Sequence, residues 1–222
     1  MAEFTPRRFR LIVFDWDGTL ADSTAIITDA IRLACGDVGA AIPDRATARY
    51  VIGLGLADAI RHVAPGLAPA DQRRLSERYR HHYLSRDAEI PLFEGASELL
   101  DSLDAAGFRL AVATGKTRVG LDRALTKLGL AGRFHATRCA DEGFPKPHPD
   151  MLLHLMERLD VPAAATLMIG DTTHDLDLAR NAGADALAVA YGAHDPAGLA
   201  ARSPLATVHS IAELRAWLAD NA

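Results

Sequence analysis

Two aspartates follow the first apolar run of the chain, in the segment RLIVFDWDGTLADS (residues 10–23). Asp15 and Asp17 are two residues apart, so in extended backbone their side chains point to the same side. Two carboxylates at such close range repel each other unless a proton or a cation relieves the repulsion. A hard divalent ion such as Mg²⁺, which prefers oxygen ligands, would do so.

A second acidic pair occurs in IGDTTHDLD (residues 169–177). Asp171 follows another apolar run, and Asp175 would lie in the first turn of the next helix. An acid in that position is stabilised by the helix dipole, so Asp175 taken by itself could serve the helix alone. The presence of all four acids favours an ion site. His174 is expected on the helix surface rather than among the ligands.

Three further residues are suited to binding a phosphate. Thr114 and Gly115, in VATGKT (residues 112–117), end a strand-like run and begin a helix whose free amides can bind an anion. Lys146 lies between two prolines in FPKPHPD (residues 144–150). Of the 24 lysines and arginines only Lys116, Lys127 and Lys146 are lysines, and two of these three lie in the strand-end segments. This favours a compact ammonium over a guanidinium at the site.

Acids, a cation, a lysine, a hydroxyl and helix-end amides together describe a site for phosphoryl transfer. The metal and the lysine would neutralise the charge of the phosphate. One aspartate can attack phosphorus as a nucleophile. The other can protonate the leaving alcohol and then take a proton from water.

Short apolar runs, separated by helix-like stretches, must bring these residues together. Strands are predicted at residues 10–14, 109–114, 165–171 and 184–191, with a weaker one at 134–139. Helices are predicted at residues 117–129, 149–159, 173–183 and 210–219. This alternation predicts an α/β fold, a parallel sheet covered by helices on both faces. Ligands of such sheets bind at the carboxyl ends of the strands, where the candidate residues lie.

The segment after the first strand breaks this alternation and contains only helix patterns, at residues 23–38, 45–51, 56–63 and 69–86. We therefore predict a core of residues 1–19 and 89–222 with an inserted all-helical unit of residues 20–88. Gly53 and Gly55 precede one of these helices. They indicate either a loop that offers amides to a small anionic substrate or an ordinary turn.

Composition narrows the possible partners. A net charge of −5 and a pI near 6.0 give no general basic field, which argues against wholesale binding of nucleic acid.

No apolar stretch approaches the ~18 residues of a membrane span, and no signal peptide is seen. Cys35 and Cys139 show no metal-ligand spacing and suit a reducing compartment. We expect a cytoplasmic monomer or homodimer that acts on a small phosphorylated metabolite.

The segments DWDGT, ATGK, PKP and GDTTHD resemble, in this order, the four motifs of the haloacid dehalogenase (HAD) superfamily. The resemblance covers about residues 9–220. It implies a Rossmann-like core and identifies the helical insertion with the superfamily's C1 cap. Within the superfamily the chain is similar to the phosphoglycolate phosphatase group. The implied function is Mg²⁺-dependent hydrolysis of a small phosphomonoester through an aspartyl-phosphate.

The resemblance also implies roles for individual residues. Asp15 would be the nucleophile and Asp17 the general acid and base, while dehalogenase members lack an acid at the position of Asp17. The phosphoryl group would be bound by Thr114, Gly115 and Lys146. The implied ligands of Mg²⁺ are the side chain of Asp15, the backbone carbonyl of Asp17, Asp171 and, directly or through water, Asp175. Gly53 and Gly55 would belong to the part of the cap that selects the substrate.

Other functions remain open at this point. A phosphosugar mutase or a pyrophosphatase of the same superfamily would share the motifs, although mutases often carry Ser where this chain has TGK. A non-catalytic binding protein on the same fold should have lost an acid. A nucleotide-binding Rossmann module needs G-x-G-x-x-G after its first strand, where this chain has DWDGTL.

Overall fold

The computed structural model describes Phe4 and residues 8–222. A single sheet organises these residues, and all its strand pairs are parallel. Its strands are β1 (Leu11–Phe14), β2 (Arg109–Thr114), β3 (Ala136–Cys139), β4 (Thr166–Gly170), β5 (Asp185–Val189) and β6 (Thr207–Val208). Their spatial order is β3-β2-β1-β4-β5-β6. From β1 the chain adds β2 and β3 on one side of the sheet and then β4, β5 and β6 on the other, so β1 and β4 flank a topological switch point. Ligands of open α/β sheets bind at such a switch point.

Ten α-helices accompany the described strands. They are α1 (Thr24–Asp37), α2 (Arg45–Tyr50), α3 (Leu56–Val63), α4 (Pro69–Arg86), α5 (Ala96–Ala105), α6 (Arg118–Lys127), α7 (Asp150–Leu159), α8 (Thr173–Ala182), α9 (Pro196–Ala200) and α10 (Ile211–Asn221). None of the described helices is both long and apolar enough to cross a membrane.

The central strand β1 is fully buried because helices cover both faces of the sheet. Successive side chains of a strand point to opposite faces. Leu11 and Val13 accordingly join a core cluster with residues of α7 and α8, whereas Ile12 and Phe14 join the larger cluster on the other face. Burial on both faces explains why the strand is a continuous apolar run without alternation. The predicted α/β fold with a parallel sheet is confirmed.

The helices α1 to α4 form a helical layer between β1 and α5 in the sequence, here called the cap. Within it α1 packs along α4, and both contribute buried apolar residues such as Ile31 and Leu75. The division into a core of residues 1–19 and 89–222 and a domain of residues 20–88 stays a prediction. Residues 1–3 and 5–7, which that prediction assigns to the core, lie outside the described residues.

Three of these strands and α-helices were not predicted. Helix α5 lies between the cap and β2 in the sequence. Its buried Leu99, Leu100 and Leu103 belong to the same core cluster as Leu214 of α10. The other two are the five-residue α9 and the two-residue β6. Both are too short to show a helical or strand periodicity, so their formation depends on neighbours that are distant in sequence.

Candidate active site

Lys146 lies at the centre of the site, between two aspartates. Its Nζ is 2.7 Å from Oδ1 of Asp15 and 2.6 Å from Oδ1 of Asp175. All three side chains are buried from solvent. Asp15 follows β1, Asp175 lies in the first turn of α8, and Lys146 comes from the loop before α7. The fold therefore joins three motifs that lie far apart in the chain.

The second oxygen of Asp175 is held by the start of its own helix. Oδ2 accepts hydrogen bonds from the backbone N–H of Thr172, at 3.0 Å, and from its hydroxyl, at 2.7 Å. Thr172 in turn accepts from the backbone N–H of Asp175, which completes a capping box. The two interpretations of Asp175 are thus compatible, because one oxygen caps α8 and the other faces Lys146.

Asp171 follows β4 and is fixed from two sides. Its Oδ1 accepts from the Thr19 hydroxyl at 2.8 Å, and its Oδ2 accepts from the backbone N–H of Ala193 at 2.7 Å. The chain passes so close to Asp171 at Gly18 and Gly192 that a side chain at either position would collide with its carboxylate. Gly18 also has φ +87°, which favours glycine.

One carboxylate oxygen from each of Asp15, Asp171 and Asp175 lies within 4.8 Å of the others. Burial raises the pKa of Asp15 well above its usual range. Lys146 lowers that pKa, but the repulsion from the other two acids adds to the increase. Burial and repulsion from Asp175 raise the pKa of Asp171 to about 7. Burial lowers the pKa of Lys146, but attraction to its two carboxylates outweighs this and leaves it above the ordinary value.

These observations test whether the site suits a divalent cation. Among the residues that the structure describes, Oδ2 of Asp15 is buried and has no hydrogen-bond partner. Three buried carboxylates share a single ammonium, so negative charge is in excess. Oxygen donors in such a cluster match the preference of Mg²⁺. The residues present therefore fit the ion that the sequence predicts.

Asp17 is not part of this cluster and has partners of its own. Its Oδ1 accepts from the Ser23 hydroxyl at 2.7 Å and lies 3.1 Å from Nζ of Lys116. Lys116 also donates to the phenol of Tyr83, a cap residue, at 2.8 Å. Asp15 and Asp17 are therefore relieved of their mutual repulsion by two different lysines. The sequence patterns assign no role in the site to Lys116 or Tyr83.

The predicted phosphate-binding residues after β2 meet the cap. The Thr114 hydroxyl accepts from the backbone N–H of Lys116 at 3.2 Å, so its own proton is available to a ligand. A Cβ at Gly115 would lie 2.7 Å from the carbonyl oxygen of Gly53 and 2.6 Å from that of Leu54. Glycine is needed at position 115 because the cap loop packs directly on it.

The loop that contains Gly53 and Gly55 also touches the other motifs. Gly53 has φ +91°, and a Cβ there would lie 3.2 Å from the Thr172 hydroxyl. A Cβ at Gly55 would lie 3.5 Å from Cβ of Pro145, beside Lys146. The structure thus places this loop over three of the predicted motifs, whereas a role in substrate selection stays a prediction.

A second contact between the cap and the core could not be predicted from the sequence. The carbonyl of Tyr50 lies 2.9 Å from Nε2 of His174 and 2.9 Å from Nε2 of His194. Arg49 donates to the carbonyls of Gly192 and Ala193, next to the amide that binds Asp171. The expectation that His174 lies on the helix surface is wrong, because α2 covers that part of α8. No spacing in the sequence links the two histidines to α2.

A cavity of about 470 Å³ separates the cap from the core beside Asp17, Gly115 and Lys116. This volume falls within the usual range of small-molecule sites, about 300–1,000 Å³. The three residues of the core form its floor, and residues of α1, α3 and α4 form much of its wall.

Comparison with known proteins agrees with this arrangement. Residues 12–189 match the family model of haloacid dehalogenase-like hydrolases. The match spans well over half of the chain, which therefore belongs to the haloacid dehalogenase-like hydrolase family.

Three relatives illustrate which proteins of known description have sequences similar to this chain. "Probable phosphatase IndB" of Dickeya dadantii is 36% identical over 210 residues, which cover 92% of this chain and 91% of that protein. "Tyrosine-protein kinase PtkA" of Mycobacterium tuberculosis is 34% identical over 185 residues, 82% of this chain. The chain spans 62% of the length of that kinase. A phosphoglycolate phosphatase of Colwellia psychrerythraea is 32% identical over 191 residues, 82% of this chain and 84% of that protein.

The fold is also shared with solved structures. A hydrolase from Pseudomonas syringae superposes with a TM-score of 0.88 over 97% of this chain and 100% of its own length. Its sequence is 24% identical. This likeness supports the fold and carries no argument about the substrate.

Proposed function

We propose that this protein is a Mg²⁺-dependent phosphatase that hydrolyses a small phosphomonoester through an aspartyl-phosphate on Asp15. The observation that carries the proposal is the buried arrangement of Asp15, Lys146 and Asp175, with Asp17 held separately beside a cavity. The two aspartates of the first motif have different partners, which supports different tasks for them.

In the first step the carboxylate of Asp15 attacks phosphorus. Its bond to phosphorus forms while the bond from phosphorus to the ester oxygen breaks. Lys146, 2.7 Å from Oδ1, holds the carboxylate in orientation and opposes the effect of burial on its charge. Lys146 and the Thr114 hydroxyl are the groups of this chain that would bind the phosphoryl oxygens.

Asp17 handles the proton in both steps. As the ester bond breaks, Asp17 donates a proton to the leaving oxygen, which departs as an alcohol. Asp17 then takes a proton from water, the water oxygen attacks phosphorus, and the bond to Asp15 breaks to release phosphate. Ser23 and Lys116 hold the carboxylate of Asp17 at the floor of the cavity.

Asp15, Asp171 and Asp175, with the backbone carbonyl of Asp17, are the groups that would hold Mg²⁺. When bound, the ion supplies positive charge that neutralises the phosphate and the buried carboxylates. Thr19, Ala193 and Thr172 orient two of these carboxylates by hydrogen bonds. Such supporting bonds are typical of metal ligands.

Two of the three relatives are phosphatases by name and support a phosphatase of this family, and the phosphoglycolate phosphatase supports a small phosphomonoester as substrate. All four acids of the site are buried and have hydrogen-bond or ion-pair partners. This argues against a non-catalytic binding protein with the same fold. A cytoplasmic location and a monomeric or homodimeric state stay predictions.

A phosphate-release assay over a panel of phosphomonoesters, with and without Mg²⁺, tests the proposal. Asp15→Asn should abolish turnover while the circular dichroism spectrum stays that of the parent protein. Asp177→Asn is the matched control, because Asp177 lies two residues beyond Asp175 and pairs with Arg202 at the surface. The control should stay active. Activity that survives Asp15→Asn would show that the nucleophile is wrongly assigned.

A further inference from the structure

The walls of the cavity beside Asp17 are largely apolar. Ile27 and Ile31 of α1, Leu56 of α3 and Leu84 of α4 contribute from the cap, and Val119 of α6 contributes from the core. Two of these residues are also large hydrophobic groups exposed to solvent, Leu84 at 48% and Val119 at 73%. The apolar lining therefore continues from the interior to the mouth of the cavity.

The cations that line the cavity are mostly occupied by protein partners. Lys116 is bound to Asp17 and Tyr83, and Arg123 donates to Asp87 at 2.7 Å. Arg80 is exposed, and among the described residues it has no carboxylate within 4.0 Å. Among the described lining residues, a carboxylate carried by a substrate would thus meet a single cation without a carboxylate partner, the exposed Arg80.

The position of Asp17 shows which half of a substrate the cavity would receive. In the proposed reaction Asp17 protonates the leaving oxygen, so the alcohol must lie on the side of Asp17. Asp17 and Lys116 form the polar floor of the cavity, and the apolar walls rise from there. The cavity is therefore the space for the leaving alcohol.

The volume of the cavity favours a leaving alcohol larger than glycolate. A two-carbon glycolate would occupy on the order of 150 Å³ if each heavy atom takes the share of a water molecule. The cavity volume of about 470 Å³ is some three times larger. A glycolate would leave most of the apolar surface in contact with water.

We propose that the substrate is a phosphomonoester whose leaving alcohol is an uncharged apolar group, alkyl or aromatic, of about six to ten carbon atoms. This inference rests on the proposed function and departs from phosphoglycolate. Apolar groups enter the cavity because burial removes both the alcohol and the walls from water.

A series of n-alkyl phosphates from methyl to octyl, assayed with Mg²⁺ beside 2-phosphoglycolate, tests the inference. The value of kcat/KM should rise by about fourfold for each methylene that the cavity encloses and level off when the chain reaches the mouth. Phenyl phosphate should exceed methyl phosphate. Phosphoglycolate should be a poor substrate.

Leu84→Gln and Leu153→Gln form a matched pair. Both are leucines on helices, and their exposed fractions are 48% and 49%, but Leu153 lies on α7 outside the cavity. Leu84→Gln should lower the ratio of kcat/KM for octyl phosphate to kcat/KM for methyl phosphate by roughly three- to tenfold. Leu153→Gln should leave this ratio unchanged.

The outcomes separate the two proposals. Phosphate release that declines with alkyl length, or a preference for phosphoglycolate that Arg80→Gln abolishes, would overturn the apolar leaving group and leave the phosphatase intact. Absence of Mg²⁺-dependent release from every ester, including the activated p-nitrophenyl phosphate, would overturn the proposed function itself.

Discussion

Replacing Lys146 by Met removes the ammonium that joins Asp15 and Asp175 while keeping much of the side-chain volume. Removing one partner of a buried ion pair leaves an uncompensated charge and costs about 3–5 kcal/mol. Because Lys146 is fully buried with both carboxylates, we expect the loss to fall in this range at pH 8 in the absence of metal. The free energy of unfolding should be measured by urea titration with EDTA.

The loss should be smaller at pH 5, by about 1 kcal/mol or more. Burial already raises the pKa of Asp15, and loss of Lys146 raises it further. Between a pH of about 4, the pKa of an aspartate in the unfolded chain, and the higher pKa of Asp15 in the folded protein, the folded state binds more protons than the unfolded state. The stability of the folded state therefore falls as the pH rises through this range. The pKa of Lys146 itself is raised, so its contribution is fully present at both pH values.

Lys127→Met is the matched control for this experiment. Lys127 is exposed at the end of α6, and its bonds within the described part of the chain go to the backbone carbonyls of Asp87 and Ile90. Its replacement should cost less than about 1 kcal/mol at either pH. A Lys146→Met variant as stable as the parent, or one with the same deficit at pH 5 and pH 8, would refute the electrostatic account of the site.

Three further predictions concern single side chains. Thr172→Val and Ser210→Ala each remove a helix N-cap, and each should lower the free energy of unfolding by about 0.5–2 kcal/mol in thermal or urea unfolding. Only Thr172→Val should also reduce turnover, because Thr172 holds Asp175. Equal activity of the two would contradict this. Gly115→Ala should lower kcat/KM at least tenfold by displacing the cap loop, whereas Gly66→Ala, with open space around it, should not. The pKa of Asp171 near 7 predicts that metal-free protein loses stability as pH rises from about 4 to 7; Asp171→Asn should lessen this fall, and an unchanged pH profile would contradict it.

Much of the fold follows from local patterns in the sequence. The strands beneath the site are apolar on both faces, and the acids, the hydroxyl and the glycine stand at their carboxyl ends, so periodicity and position locate them together. The prediction that Asp15 and Asp17 need a cation is consistent with the structure, which supplies a lysine to each.

Other features depend on packing between distant segments and leave no local signal. Lys146 reaches Asp15 across 131 residues of chain, and only the fold shows that it also reaches Asp175. The bonds from His174 and His194 to the carbonyl of Tyr50 arise because α2 docks on the core. The apolar cavity exists only between the cap and the core, so no single helix pattern indicates its size or its chemistry.

The covalent intermediate on Asp15 is the central claim, and borohydride trapping tests it most directly. The enzyme is mixed with Mg²⁺ and a phosphomonoester that it turns over, quenched in acid, treated with borohydride and digested for peptide mass spectrometry. Borohydride reduces an acyl phosphate to an alcohol, so the account predicts homoserine at position 15 and unmodified Asp17. Homoserine at another position, or none despite active turnover, would contradict it.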